Sequence, residues 1–395
     1  MNNKYINYLA DLEQINSFSL IVMHDKEKIY THGQNKKFAI GSMSKAFGSY
    51  LLHTLIKKKL CNWDDLVSNW FHLSDSTMTI KDLVEHQVRY KPHLFTQMID
   101  HGYNIKEITN KLHDEKEVTE KDFHYNNIFY AVVLPKIIES VSGQSYKKLF
   151  EELLNTIGMK DTGFTDDADM GYYMDNNFLV KPANQIRPIS NFGFAGGIIS
   201  TIEDMRLWIN FIIDKEDFLK IDQPNGYGKG WWTCDKNHIT RAHTGSVFGY
   251  SSSILLIPKY KFSICCLCNL TNASFPGRII NFAVKNTFNI PYFNINAPLI
   301  RELPIETKMF TGEYSNEIFG KFKIIDDLII CENVKGDLIY TKPNECTVKW
   351  RDGQHVYYEN DKIIKHEDGI ELHFYDFYHS PMHCTNNITL KQHNI

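Results

Sequence analysis

Residues 4–15 carry apolar side chains at helical spacing, and the runs 18–23 and 28–31 alternate as the strands of a hairpin bridged by His24-Asp25-Lys26-Glu27. From Ser42 to Leu60, apolar residues recur at Phe47, Leu51, Leu55 and Ile56 without a proline, which predicts a helix. Lys57-Lys58-Lys59 falls at the end of that helix, where its dipole favours cations, so the basic run needs no partner to explain it. Residues 61–215 read as a helical block with polar loops, including helices over 130–141, 145–157 and 201–213. Ser200-Thr201-Ile202-Glu203 fits a capping box opening the last of these.

Three strand-like segments follow, near 231–234, 249–257 and 262–270, and then a helix near 276–287. Strands on both sides of a helical block predict one α+β domain whose sheet is discontinuous in sequence. The segment 291–308 carries Pro291, Pro298 and Pro304 with little periodicity and reads as a linker, so a boundary is set at residue 300. Beyond it, seven short alternating runs from Lys321 to Phe377 are broken by Asp326-Asp327, Lys335-Gly336, Asp352-Gly353 and Asp368-Gly369. They predict a small all-β barrel or sandwich. The expected domains are 1–300 and 301–395.

Composition narrows the function more than the fold. Lys+Arg 43 against Asp+Glu 47 give a net charge of −4 with no long run of either sign, so there is no electrostatic footprint for nucleic acid or an anionic membrane. No apolar stretch has the length of a membrane span, and the first residues offer no apolar export segment, so the expected location is cytoplasmic. Eight cysteines are scattered, with Cys265, Cys266 and Cys268 in one apolar run, and read as reduced core residues. His379 and His383 are four apart, but Pro381 disfavours the helix that would align them as metal ligands. No phosphate-cradling or dinucleotide glycine motif occurs, so no metal and no cofactor is expected. The oligomeric state is left open.

Three short motifs bear on chemistry. In Gly41-Ser42-Met43-Ser44-Lys45 the serine opens a helix and the lysine lies one turn on, on the same face. Burial among Met43, Ala46 and Phe47 would lower the lysine pKa and leave a neutral amine able to take the hydroxyl proton. The spacing alone is weak, since roughly two such pairs arise by chance in a chain of this composition. Ser145-Tyr146-Lys147-Lys148 is one, and reads as a solvated helix face. Tyr125-Asn126-Asn127 sits in a polar loop, where a phenol can pass protons and an amide can orient a lysine or a carbonyl. His243-Thr244-Gly245-Ser246 starts a strand read as an edge, where glycine admits a substrate to the backbone and the next amide can donate to an oxyanion.

The ordered set, Ser-x-x-Lys, then Tyr-x-Asn, then His-Thr-Gly, resembles the serine β-lactamase and penicillin-binding-protein superfamily, in its class C-like branch with esterases, D-amino peptidases and peptide cyclases. The segments 38–47, 157–164, 194–205 and 227–232 are similar to that branch as well, so the resemblance spans about residues 17–290. It implies a covalent acyl-enzyme: Ser42 as nucleophile, Lys45 as its base, Tyr125 as proton shuttle, and Asn127 as orienter of Lys45 and the substrate amide. Catalytic His243 and substrate-binding Thr244 and Gly245 form the third motif, and the backbone N–H groups of Ser42 and Ser246 would make the oxyanion hole. His243 stands where penicillin-directed members often carry lysine, a weaker anchor for a substrate carboxylate. Glu85-His86-Gln87-Val88-Arg89-Tyr90 replaces a His-Thr-Ser-Gly-Leu-like stretch and alters the cleft rim. The region from Phe310-Thr311-Gly312-Glu313-Tyr314 is similar to lipocalin-like appendages of several members.

The resemblance implies a serine hydrolase cleaving an ester or amide of a small-molecule or peptide-like acyl substrate. Two alternatives stand beside it: an acyltransferase or peptide cyclase using the same acyl-enzyme, and a binding scaffold without catalysis.

Overall fold

The computed structural model describes residues 3–94, 98, 103, 105–116, 120–174, 180–183, 189–221, 226–234, 240–271, 273 and 275–288, and strands between 312 and 393. Seven strands form one antiparallel sheet: β1 (Phe18–His24), β2 (Glu27–Gly33), β3 (Tyr227–Gly228), β4 (Trp231–Cys234), β5 (Thr240–Val247), β6 (Tyr250–Ile257) and β7 (Phe262–Cys268). Their spatial order is β2-β1-β7-β6-β5-β4-β3. The discontinuity expected from sequence is closed between β1 and β7, from Phe18 opposite Cys268 to His24 opposite Phe262. Every residue of β6 and β7 is buried, Ser251–Ser253 and Ser263 included, as in strands covered on both faces. Cys61, Cys265, Cys266 and Cys268 are buried, and burial pushes the Cys61 thiol up to about 11.

The helix Ser44–Lys57 runs through the core, with Ser44 to His53 all buried. Phe47 stacks on Trp208 with ring centres 3.9 Å apart, and Phe150 meets Phe47 edge-on at 5.9 Å. Aromatic burial of this kind contributes about 2–3 kcal/mol per ring and fixes the rotation of the helix. This helix starts two residues later than the spacing predicted. Gly41–Met43 forms a separate 3₁₀ turn, and Gly41 adopts φ +51°, which a helical residue cannot.

The helix Ile202–Ile212 is capped by Thr201, whose hydroxyl accepts from Asp204 N at 3.2 Å. That corrects the expected box on Ser200, whose hydroxyl instead meets Thr162 Oγ1 at 2.8 Å. A reciprocal box does exist at Thr79 and Asp82, opening the helix Ile80–Glu85. Before the helix Leu134–Ser142 the chain makes a π turn over Phe129–Val133. Pro135 lacks the N–H that an α-helix would send back to Ala131, so the turn widens.

The chain divides into two compact units. Asn16–Gly171 with Ala183–Asn269 holds the seven-stranded sheet and the helices just described; Met1–Ile15, Tyr172–Pro182 and Leu270–Ile395 form the other. In the latter, the helices Asn3–Leu12 and Phe275–Phe288 pack together, with Glu13 accepting from Phe275 N at 2.9 Å and pairing with Arg278 at 3.4 Å.

The same unit contains a closed antiparallel barrel of eight strands: β8 (Gly312–Asn316), β9 (Gly320–Ile325), β10 (Leu328–Cys331), β11 (Val334–Lys342), β12 (Glu345–Arg351), β13 (Val356–His366), β14 (Gly369–Tyr375) and β15 (Thr385–His393). It is an up-and-down meander closed by β8 pairing with β15. Two of the seven alternating runs expected from sequence, 355–359 and 362–366, belong to this one strand β13 from Val356 on. The strand takes up Glu359-Asn360-Asp361 in a register shift opposite Thr347–Lys349. The 291–308 linker, the boundary at residue 300, and His379 and His383 lie outside the described residues.

Candidate active site

The 3₁₀ turn holding Ser42 is fixed from three sides. Ile40 N donates to Ile198 O at 3.0 Å, Ile40 O accepts from Ser252 Oγ at 2.8 Å, and Ser44 Oγ accepts from Ile198 N at 3.3 Å. Gly41, Met43, Ser44 and Lys45 are buried, whereas Ser42 keeps partial exposure. The turn therefore presents one hydroxyl.

Lys45 is fully buried, with Nζ 3.0 Å from Ser42 Oγ. The amine also donates to Asn127 Oδ1 at 2.8 Å and to the Ala195 carbonyl at 2.8 Å. Both of those oxygens only accept, so they take two N–H bonds of the amine and leave its third direction to Ser42. Burial holds the Lys45 pKa well below its ordinary value. In the neutral amine that third direction is a lone pair, aimed at the serine hydroxyl.

The Tyr125-Asn126-Asn127 loop is polar in sequence, yet Tyr125 is nearly buried and Asn126 wholly so. Asn126 acts as a bolt: Oδ1 accepts from Leu94 N at 2.7 Å, Nδ2 donates to Lys91 O at 2.9 Å, and its backbone N–H reaches His86 Nδ1 at 3.3 Å. The residues on either side are thereby turned toward Lys45, whose Nζ lies 4.7 Å from the centre of the Tyr125 ring.

The third motif lies mid-strand in β5, with β4 and β3 beyond it in the sheet, which corrects the expected edge strand. The correction is partial, since β4 pairs only with Thr240 to Ala242. Past that point the margin of β5 meets the Ser42 turn: a Cβ on Gly41 would stand 2.6 Å from Ser246 N, and one on Gly245 would collide with the Ile40 carbonyl. Two glycines thus permit the backbone approach of Ser42 and Ser246.

His243 is buried and both ring nitrogens are engaged. Nδ1 faces the Thr244 carbonyl at 2.5 Å, and Nε2 lies 3.1 Å from Tyr227 Oη. A carbonyl only accepts, so Nδ1 carries the proton and Nε2 receives the Tyr227 hydroxyl. Burial, and then the charge of Lys45, bring the His243 pKa down to about 3. The ring is therefore neutral at pH 7, not partly charged.

The chain matches the family model described as Beta-lactamase over residues 4–286. It belongs to that family. Among curated relatives it is similar to Protein flp of Staphylococcus aureus, at 24% identity over 283 residues, covering 64% of this chain and 56% of the relative. The match thus spans just over half the length of that relative. The fold is similar to the octameric penicillin-binding protein homologue from Pyrococcus abyssi, with TM-score 0.64, 19% identity, and coverage of 95% of this chain and 98% of that one. It is also similar to the D-amino acid amidase from Ochrobactrum anthropi complexed with L-phenylalanine, with TM-score 0.61, 18% identity, and coverage of 72% and 99%.

The structure brings Ser42, Lys45, Asn127 and Tyr125 together, and His243, Thr244, Gly245 and Ser246 lie along the adjoining strand. The second serine–lysine pair does not join them: Ser145 precedes the helix Tyr146–Ile157 and Lys148 is exposed, 3.9 Å from Glu152. Sequence reasoning missed the Ala195 carbonyl, which has no side-chain signature, and His86, whose ring packs 4.5 Å from Tyr125. It also missed Tyr227 as partner of His243, although the Tyr-Gly-Lys-Gly-Trp-Trp run had marked that segment.

Proposed function

We propose that this chain is a serine hydrolase that forms an acyl-enzyme on Ser42 and cleaves an ester or amide of a small substrate. One observation carries the reading: a fully buried amine 3.0 Å from a partly exposed serine hydroxyl, with its two other hydrogen-bonding directions occupied by acceptors.

In this reading Lys45 takes the Ser42 proton as Oγ attacks the substrate carbonyl carbon. The negative charge that develops on the carbonyl oxygen is met by the backbone N–H groups of Ser42 and Ser246. Collapse expels the alcohol or amine, which receives its proton from Lys45 by way of Tyr125. Water, deprotonated by the same route, then attacks the acyl-Ser42 carbonyl and restores the free hydroxyl. Asn127 orients Lys45 and the substrate amide, while Thr244 and Gly245 line the strand along which the acyl group lies. The division at residue 300 belongs to the same proposal, with the barrel following the catalytic domain.

The test is steady-state hydrolysis of p-nitrophenyl esters and aryl amides by the wild type and Ser42→Ala. Turnover that falls by about 10³-fold or more in the variant supports the reading; turnover equal in both refutes it. A competing amine separates water from another acceptor, since release of only the free acid at saturating amine marks hydrolysis.

A further inference from the structure

A carboxylate bound beside Ser42 needs N–H donors or a positive charge, because an unpaired anion removed from water is costly. Of the basic groups beside Ser42, His243 and Lys45 are already committed. His243 sends its Nδ1 proton to the Thr244 carbonyl and uses Nε2 to receive the Tyr227 hydroxyl. Lys45 directs its amine at Asn127 Oδ1, Ala195 O and Ser42. Neither has a donor left for a substrate anion.

What the site offers instead is aromatic surface. Trp232 lies parallel to Tyr125 with ring centres 6.5 Å apart and planes within 9°. Phe123 stands 5.3 Å from Trp232, and Tyr227 4.8 Å from it. Tyr125 and Tyr227 are buried beneath, whereas Phe123 and Trp232 are only half-buried, which leaves apolar ring surface facing outward next to the reacting groups. Covering such surface favours an alkyl or aryl chain and disfavours a charged one.

Building on the hydrolase reading, we propose that the site selects uncharged, apolar acyl donors, whose alkyl or aryl group packs against Phe123 and Trp232, and discriminates against acyl donors bearing a carboxylate. His243 then acts as a specificity-determining residue through its internal hydrogen bonds, as a neutral wall in place of a charged anchor.

The test compares p-nitrophenyl hexanoate with the p-nitrophenyl monoester of adipic acid, which has the same six-carbon acyl chain ending in a carboxylate. The expected kcat/KM for the hexanoate exceeds that for the hemiadipate by about 100-fold or more. In His243→Lys the ratio falls by about 10-fold or more, and in Trp232→Ala the hexanoate loses about 10-fold, mainly in KM. If His243→Lys does not fold, the wild-type ratio decides. Hydrolysis of the two esters within about 3-fold of one another overturns the inference and leaves the hydrolase reading standing. Absence of turnover together with absence of an acyl mass on Ser42 for both esters overturns the hydrolase reading, and this inference with it.

Discussion

The main-chain carbonyl of Ala195 accepts from Lys45 Nζ at 2.8 Å across 150 residues of sequence. With Asn127 Oδ1 at the same distance, it determines where the remaining valence of the amine points. A lysine on an ordinary helix has many rotamers, and this one has its direction set by two fixed oxygens, one on the loop before a π turn and one after the kink at Gly193. The serine–lysine relationship is thus a property of three separate segments, not of the Ser-x-x-Lys spacing alone.

Lys45→Met keeps the length of the side chain and removes the amine proposed as base. We expect kcat/KM to fall by about 10²–10⁴-fold, the usual range for loss of a positioned base. Stability should move the other way. The folded pKa of Lys45 lies below its unfolded value, so the unfolded chain binds a proton that the folded chain refuses, and wild-type stability rises with pH from the folded pKa up to about 10.5. Thermal unfolding should therefore show the methionine variant gaining most over wild type at the lower end of that window. A variant less stable than wild type throughout would contradict the account of burial.

Asn127→Leu removes one of the two acceptors that aim the amine. The expected loss is about 10–100-fold in kcat with a smaller change in KM, because the misdirected base acts after binding. The pH–rate profile should also move, since the rising limb reports deprotonation of Lys45 and its surroundings have changed. A variant with wild-type kcat and an unmoved profile would place the orienting function elsewhere.

Gly41→Ala probes the junction of the Ser42 turn with β5. The residue sits at φ +51°, and the new methyl would stand 2.6 Å from Ser246 N. Backbone strain alone costs about 1–2 kcal/mol, and relieving the contact must displace Ser246 or the Ser42 turn. We expect lower melting temperature and a kcat reduced by about 10²-fold, the scale of a lost oxyanion donor. Full activity in a destabilised protein would separate the turn from the oxyanion site.

Much of the architecture was legible because it rests on pattern. The strands β6 and β7, the hairpin of β1 and β2 and the helix bearing Lys45 each follow from local pattern. The three motifs were visible as side chains at a fixed order. What sequence could not supply were features without a side-chain code: the Ala195 carbonyl, the 3₁₀ turn imposed by Gly41, and the displacement of β5 from edge to interior by the short β3 and β4. Polarity also misled at Tyr125-Asn126-Asn127. Asn126 is buried because its amide satisfies three main-chain groups, and composition does not distinguish that from solvation.

Acid should weaken the fold through the same site. His243, brought down to about 3, and His86, also held well below its ordinary value by burial, stay neutral where the unfolded chain takes up protons. For His243 the resulting stability is present above the unfolded histidine pKa of about 6.5 and is lost as pH falls toward 3, by about 1.4 kcal/mol per pH unit, and His86 acts in the same direction. Denaturant melts between pH 7 and 4 should show His243→Gln with a shallower slope by about one proton. An unchanged slope would mean that His243 is protonated in the folded protein.

The central claim is that Ser42 becomes acylated with Lys45 as its base. Intact-mass measurement after brief exposure to a p-nitrophenyl ester or a fluorophosphonate, followed by peptide mapping, tests it directly. The account predicts one adduct, located on Ser42, absent in Ser42→Ala and formed much more slowly in Lys45→Met. An adduct on another residue, or one that persists in Ser42→Ala, would contradict it.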